Sequence, residues 1–131
     1  IFRFKGDNID VQRINNLLHL SPTKYFLKDD DRVLSGHFKP YWSISSPLQD
    51  FDELDKHIYA LLSILLPKKN IIKMLGEEGY SPMFYIGIFF HEFAYFHIES
   101  ELLKCIADLH SDIEVHMYDL KNEESDIQTK I

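Results

Sequence analysis

Seven histidines and 21 acidic side chains in 131 residues are the raw material of a metal centre or a general base. The densest constellation is His91-Glu92 with His97. A helical zinc site of the protease type sets its second histidine four residues after the first, so that both face one way, but here that place is taken by Tyr95. In an extended chain, positions 91 and 97 would lie about 20 Å apart. His110 and His116 bracket a turn, while His19, His37 and His57 fall on helix ends, loops and an outer helical face. Asp52, Glu53, Asp55 and Glu92 offer carboxylates, yet a hydrolytic pair is defined by a separation in space that spacing along the chain does not supply. Asp29-Asp30-Asp31 lacks the alternation and the glycine of a calcium loop and reads as an acidic hairpin turn. The five glycines are unclustered, so no phosphate-cradling loop, dinucleotide fingerprint or nucleophile elbow can be drawn. The expectation is a protein that is not an enzyme and that holds neither metal nor cofactor.

Aromatic and acidic residues on elements that cannot all be internal form the stronger signal. Tyr25, Tyr41, Tyr80, Tyr85, Phe93, Tyr95 and Tyr118 exceed what one small core takes, and aromatics rimmed by acids suit a protein interface. The predicted partner-binding set is Tyr85, Phe89, His91, Glu92, Phe93 and Tyr95, with Asp29, Asp30, Asp31, Glu77 and Glu78 as its acidic part. The formal charge is −7, and Lys68-Lys69 is the longest basic run. Nucleic-acid binding needs a basic patch to release counterions, so it is not expected. No apolar run approaches the roughly 18–20 residues that span a bilayer, and no leader pattern opens the chain. A cytoplasmic protein without membrane contact is therefore expected. Cys105, with no second cysteine to pair with, sits among Leu102, Leu103 and Ile106 and reads as a small buried hydrophobe.

The elements that would position these groups follow from periodicity. Phe2 and Phe4 alternate with Arg3 and Lys5 as in a half-buried strand. A helix then carries Val11, Ile14, Leu17 and Leu18 on one face. Lys24–Leu27, Arg32–Leu34 and Lys39–Ile44 read as short strands. The longest helix is predicted from Asp50, as cap, with Glu53 reaching back, through an apolar stripe of Phe51, Leu54, Ile58, Leu61, Leu62 and Leu65 to Pro67. A shorter helix follows, with Gly76 closing it. Met83–His91 is apolar on both faces, which suits a central strand, and its Gly87 suggests a bulge or a close backbone approach. Phe93–Ile98 suggests another short strand, Glu99–Leu109 a helix, and Ile113–Tyr118 a strand apolar on one face. The fold class is α+β: a mostly antiparallel sheet with helices on one face, a ferredoxin-like core and an added C-terminal strand, helix and strand. One domain is expected over residues 1–118, with a polar acidic tail over 119–131.

Several of these features together resemble a known family. Phe4-x-Gly6-Asp7-x-Ile9-Asp10, Pro22-Thr23, Trp42-x-Ile44, and the run Phe96-His97-Ile98-Glu99-x-Glu101-Leu102-Leu103 leading to Ile113-Glu114-Val115-x-Met117-Tyr118 resemble DUF4279, a bacterial domain family of unknown function. The matching motifs are turns, caps and core positions, so the resemblance implies a fold and carries over no catalytic residue. The stretch 83–96 departs from the family pattern. Small acidic bacterial domains without an active site are often immunity proteins, and the function expected is binding and blocking of a cognate, cationic, nuclease-type toxin domain. The alternative is a small-molecule-binding or regulatory domain with a pocket under the aromatic strand.

Overall fold

A computed structural model describes residues 1–30, 34, 36 and 39–120. The N-terminal alternation becomes β1 (Phe2–Lys5), in which Phe2 and Phe4 are fully buried and Arg3 and Lys5 turn to the other face. Asp10 then takes extended backbone, and its carboxylate accepts from the Arg13 amide at 3.1 Å, satisfying an orphan donor of the first turn. Helix α1 (Val11–Leu18) ends at His19 in the left-handed region. Lys68 Nζ donates to the Leu18 carbonyl, which puts a cation at the negative end of the helix dipole. The chain continues through β2 (Lys24–Phe26), β3 (Tyr41–Ile44), α2 (Leu54–Leu65), a 3-10 turn (Leu66–Lys68), α3 (Lys69–Glu77), β4 (Ser81–Phe90), α4 (Ser100–Asp108) and β5 (Asp112–Asp119).

The strands form one sheet in the order β2-β3-β1-β4-β5. The pairings β2–β3, β3–β1 and β1–β4 are antiparallel, whereas β4–β5 is parallel. A parallel pair needs a crossover, and α4 supplies it. The architecture is the expected α+β one, with a mostly antiparallel sheet and its helices on one face. That face gathers Phe2, Phe4, Trp42, Ile44, Phe84 and Ile86 against Ile14, Leu18, Leu61, Leu65, Ile72 and Ile106 in one core. Each apolar side chain buried there is worth roughly 1.5–3 kcal/mol. Since neighbours along a strand alternate faces, the register also decides which polar residues meet on the opposite side. Phe4 pairs with Trp42 and Phe2 with Phe84, so Arg3, Lys5, Tyr41 and Tyr85 all point away from the helices.

Several local expectations are corrected. The long helix starts at Leu54, with Glu53 as its cap residue and no side-chain bond there. Asp52 instead closes a turn over 49–52, accepting from the Gln49 amide at 3.0 Å, and this leaves Phe51 87% exposed rather than in the core. The end of that helix is as expected: it stops at Leu65, Pro67 bends the chain through the 3-10 turn and the shorter α3 follows, since proline at the start of a turn lacks only a donor that would be unpaired anyway. Gly76 lies inside α3, and Gly79, at φ +98°, takes the left-handed position. Gly87 marks no bulge, because β4 and β5 pair without interruption from Met83–Asp112 to Phe90–Asp119. Phe93–Ile98 forms no strand: after β4 a single bridge, His91–Phe93, closes a tight turn around Glu92 at φ +58°. Asp31, Arg32, Val33, His37 and the tail over 121–131 lie outside the described residues.

Candidate functional site

The face of the sheet turned away from the helices opens into a groove of about 770 Å³. Strand β1 contributes Arg3 and Lys5, β3 contributes Tyr41, β4 Tyr85, and β5 Glu114 and His116, while Asp7, Lys28, Gly36, Lys39 and Pro40 line it from the connections. Arg3, Lys5, Tyr41, Tyr85 and Glu114 are each the polar or aromatic partner in an alternating pair whose other member is in the core or packs against it, as Tyr85 is beside Phe84 and Glu114 beside Ile113, whereas His116 lies between the exposed Val115 and Met117. The groove is thus a direct consequence of period-2 patterning on four neighbouring strands.

Arg3 is the centre of this site. Its guanidinium carbon lies 4.3 Å from the Tyr41 ring centroid and 4.7 Å from that of Tyr85, one ring from each strand flanking β1. Both contacts are in the range where a ring's quadrupole attracts a cation. Among the described residues the buried Arg3 Nε has no hydrogen-bond acceptor. The Tyr85 hydroxyl lies 3.0 Å from that of Tyr118, and its ring centroid lies 4.7 Å from that of His116, the two planes tilted by 43°. Burial, and then the bond to Tyr118, push the Tyr85 phenol up to about 12. At neutral pH it keeps its proton and can donate a hydrogen bond.

On β5, His116 Nε2 lies 3.0 Å from Glu114 Oε2, and since a carboxylate only accepts, the imidazole donates. That hydrogen bond, aided by the charges of Lys5, His116 and Arg3, holds Glu114 below its ordinary carboxylate value against the opposing effect of burial. Counting fixed charges, the groove sets Arg3, Lys5, Lys28 and Lys39 against Asp7 and Glu114. A locally positive surface therefore sits on a chain whose net charge is −7.

The predicted partner-binding residues divide between the two ends of β4. Asp29 lies near the C-terminal end of β1, lining a small hollow with Asn8, Ile9 and Asp10. Glu77 and Glu78 precede the start of β4, where Glu78 is held at 2.6 Å by Arg13. Asp30 lies in the same loop as Asp29, its carbonyl accepting from the Leu34 amide. At the other end of this ten-residue strand, about 30 Å away, stand Phe89, His91, Glu92, Phe93 and Tyr95. Phe89 stacks on Tyr118 at 4.8 Å and is 64% exposed, while Phe93 and Tyr95 are 78% and 79% exposed. Among the described residues of the predicted set, only Tyr85 lines the groove. Among the described residues no group of three or more His, Cys, Asp or Glu side chains is placed to hold a metal ion, and no helix is long and apolar enough to cross a membrane. The predicted partner-binding set lacks Arg3, Lys5, Lys28, Lys39, Tyr41, Glu114 and His116, all of which line the groove. The alternation of β1 and of β5 placed Arg3, Lys5, Glu114 and His116 on polar faces, but nothing in the spacing said those faces are one face, or that Tyr41 of β3 and Lys28 and Lys39 of the connections join them.

A family model described as a domain of unknown function, DUF4279, matches residues 1–120. No curated protein and no solved structure matches.

Proposed function

The chain belongs to the DUF4279 family, and from that premise we propose that this member is a non-catalytic binding domain that recognises its ligand on the groove face of the sheet. The observation that carries this reading is Arg3, an arginine clamped between Tyr41 and Tyr85 in a groove, with no acceptor for its Nε among the described residues. A buried donor left unpaired costs about 1–3 kcal/mol and so calls for an explanation, which an acceptor on a bound ligand would supply. The domain works in the cytoplasm on this reading, where its half-buried Cys105 thiol stays reduced. Amide spectra of the labelled full chain, screened against a mixed library of polar small molecules, test it. The expected hits move the resonances of Arg3, Lys5, Tyr85 and Glu114 together. Hits that gather anywhere else would sink the assignment.

A second reading takes the chain as a bacterial immunity protein that binds and blocks a cationic toxin domain. The exposed Phe89, Phe93 and Tyr95 beyond the end of β4 support it, because well-exposed aromatics make effective interface anchors. Calorimetry against the C-terminal toxin domain encoded beside it, at low and high salt, is the test. Phe93→Ala with Tyr95→Ala should abolish that binding and leave the unfolding midpoint unchanged.

A further inference from the structure

Building on the groove-face reading, we propose that the ligand is a small molecule bearing an oxyanion, phosphate or carboxylate, with Arg3 as its anchor. Three independent features lead there. First, the sign of the charge: Arg3, Lys5, Lys28 and Lys39 outnumber the groove's two carboxylates, and Glu114 already has a partner in His116. Second, the presentation of Arg3: its guanidinium carbon sits over the rings of both Tyr41 and Tyr85, which hold the side chain in place at the groove, and the guanidinium carries five N–H donors in a fixed fork. An arginine fixed in this way loses little conformational freedom when a planar or tetrahedral oxyanion engages it, and the paired geometry favours such groups over a point charge. Third, size: at about 770 Å³ the groove falls in the range that holds metabolite-sized ligands, larger than a bare ion needs. Lysines at the rim add attraction without demanding geometry, as is usual where a ligand's charged end is steered toward a deeper arginine.

The probes are inorganic pyrophosphate and citrate, titrated separately into the labelled full chain and followed by amide spectra and calorimetry. Saturable binding by either probe, with the Arg3, Lys5 and Tyr85 resonances moving and the affinity falling as salt rises, is the expected result. The tighter probe then names the head group as phosphate or carboxylate. Arg3→Gln should weaken that binding by about tenfold or more, and Lys39→Gln at the rim by a few fold. Lys104→Gln, on the exposed side of α4, should leave it unchanged. To separate lost binding from altered packing, the Arg3→Gln spectrum must retain wild-type dispersion, and Lys39→Gln gives an independent reading on an exposed side chain. Failure of both probes to bind up to about 10 mM overturns the oxyanion proposal, as does binding that neither Arg3→Gln nor Lys39→Gln weakens. If the library screen still finds neutral or cationic ligands moving the same resonances, the groove-face reading survives and only the ligand class is wrong. If its hits lie elsewhere, both fall.

Discussion

Asn15→Ala should destabilise the fold, but only while Trp42 is present. The indole of Trp42 is fully buried on the helix face of β3, and its Nε1 donates to Asn15 Oδ1 at 2.8 Å, tying α1 to the sheet beneath the groove. Removing the acceptor forfeits a hydrogen bond worth about 1 kcal/mol and strands a buried donor, for a cost of about 1–3 kcal/mol. Alanine returns up to about 0.7 kcal/mol through its better helix propensity. The net expectation is a loss of about 1–2 kcal/mol, a sizeable part of the 5–15 kcal/mol typical of a domain. In a Trp42→Phe background there is no indole to strand, so the same Asn15→Ala change should be neutral or stabilising by a few tenths of a kcal/mol. Trp42→Phe alone costs about 1–3 kcal/mol through lost ring volume. Urea unfolding followed by far-UV circular dichroism gives all four corners of the cycle, and the fluorescence of Trp42, the one tryptophan, cross-checks two of them. A coupling below about 0.3 kcal/mol would refute the account, because it would mean that the indole donor is satisfied without Asn15.

Three further outcomes follow from particular atoms. A Cβ added at Gly6 would meet the Gly79 carbonyl oxygen at 3.0 Å, a backbone atom that cannot swing aside, so Gly6→Ala should cost about 1–3 kcal/mol in urea. Gly76→Ala, inside α3 with nothing closer than Pro82 Cδ at 3.9 Å, should instead stabilise by up to about 1 kcal/mol, and equal effects at the two sites would contradict this packing. Tyr85 should give a late phenol ionisation, near pH 12: the folded chain holds that proton above the ordinary value of 10, so stability is full below pH 10 and falls as pH rises from about 10 to 12. Tyr118→Phe should lower that late ionisation in an absorbance titration, and an unmoved titration would discard the hydroxyl pair. Glu114 runs the opposite way: its depressed carboxyl favours the folded state above about pH 4.5 and gives that up as pH falls through the folded value. Carbon-detected spectra should place its midpoint below 4.5 and move it upward in His116→Ala, whereas no movement would remove His116 as the main cause.

The strand and helix patterns translated into structure wherever one face is buried. The alternation in β1 assigned Phe2 and Phe4 to the core and Arg3 and Lys5 outside, and in β5 it held for Ile113 against Glu114, whereas Val115 and Met117, expected on the apolar face, are exposed because the core does not extend that far along β5. Legibility stopped where local chemistry competes with pattern. Phe51 fits the apolar stripe of α2, yet the Asp52 carboxylate binds the Gln49 amide and the chain turns before it can coil, so the periodicity runs three residues past the helix. At Phe93–Ile98 the aromatic content suggested a strand, but β4 has already turned at Glu92. Aromatic side chains favour strands chiefly where another strand or a core receives them, and neither does so for Phe93 or Tyr95.

The groove escaped detection for a reason of a different kind. A net charge of −7 is a sum over the whole surface, whereas a ligand responds to the charges within about a Debye length of where it sits. Arg3 and Lys5 are separated in sequence from Lys28 and Lys39, and both pairs from Glu114, so no window along the chain shows a basic cluster. Strand order creates it: inserting β1 between β3 and β4 places Arg3 between two tyrosines contributed 38 and 82 residues later, and adding β5 by a parallel crossover brings Glu114 and His116 to the same face. The acids that dominate the total are spent elsewhere, Glu78 on Arg13 and Asp10 on the cap of α1. An acidic exterior around a positive groove also has a kinetic consequence. It repels anions from the surface at large and leaves the groove as the favourable approach, so adding salt should weaken binding at Arg3 while relaxing that general repulsion.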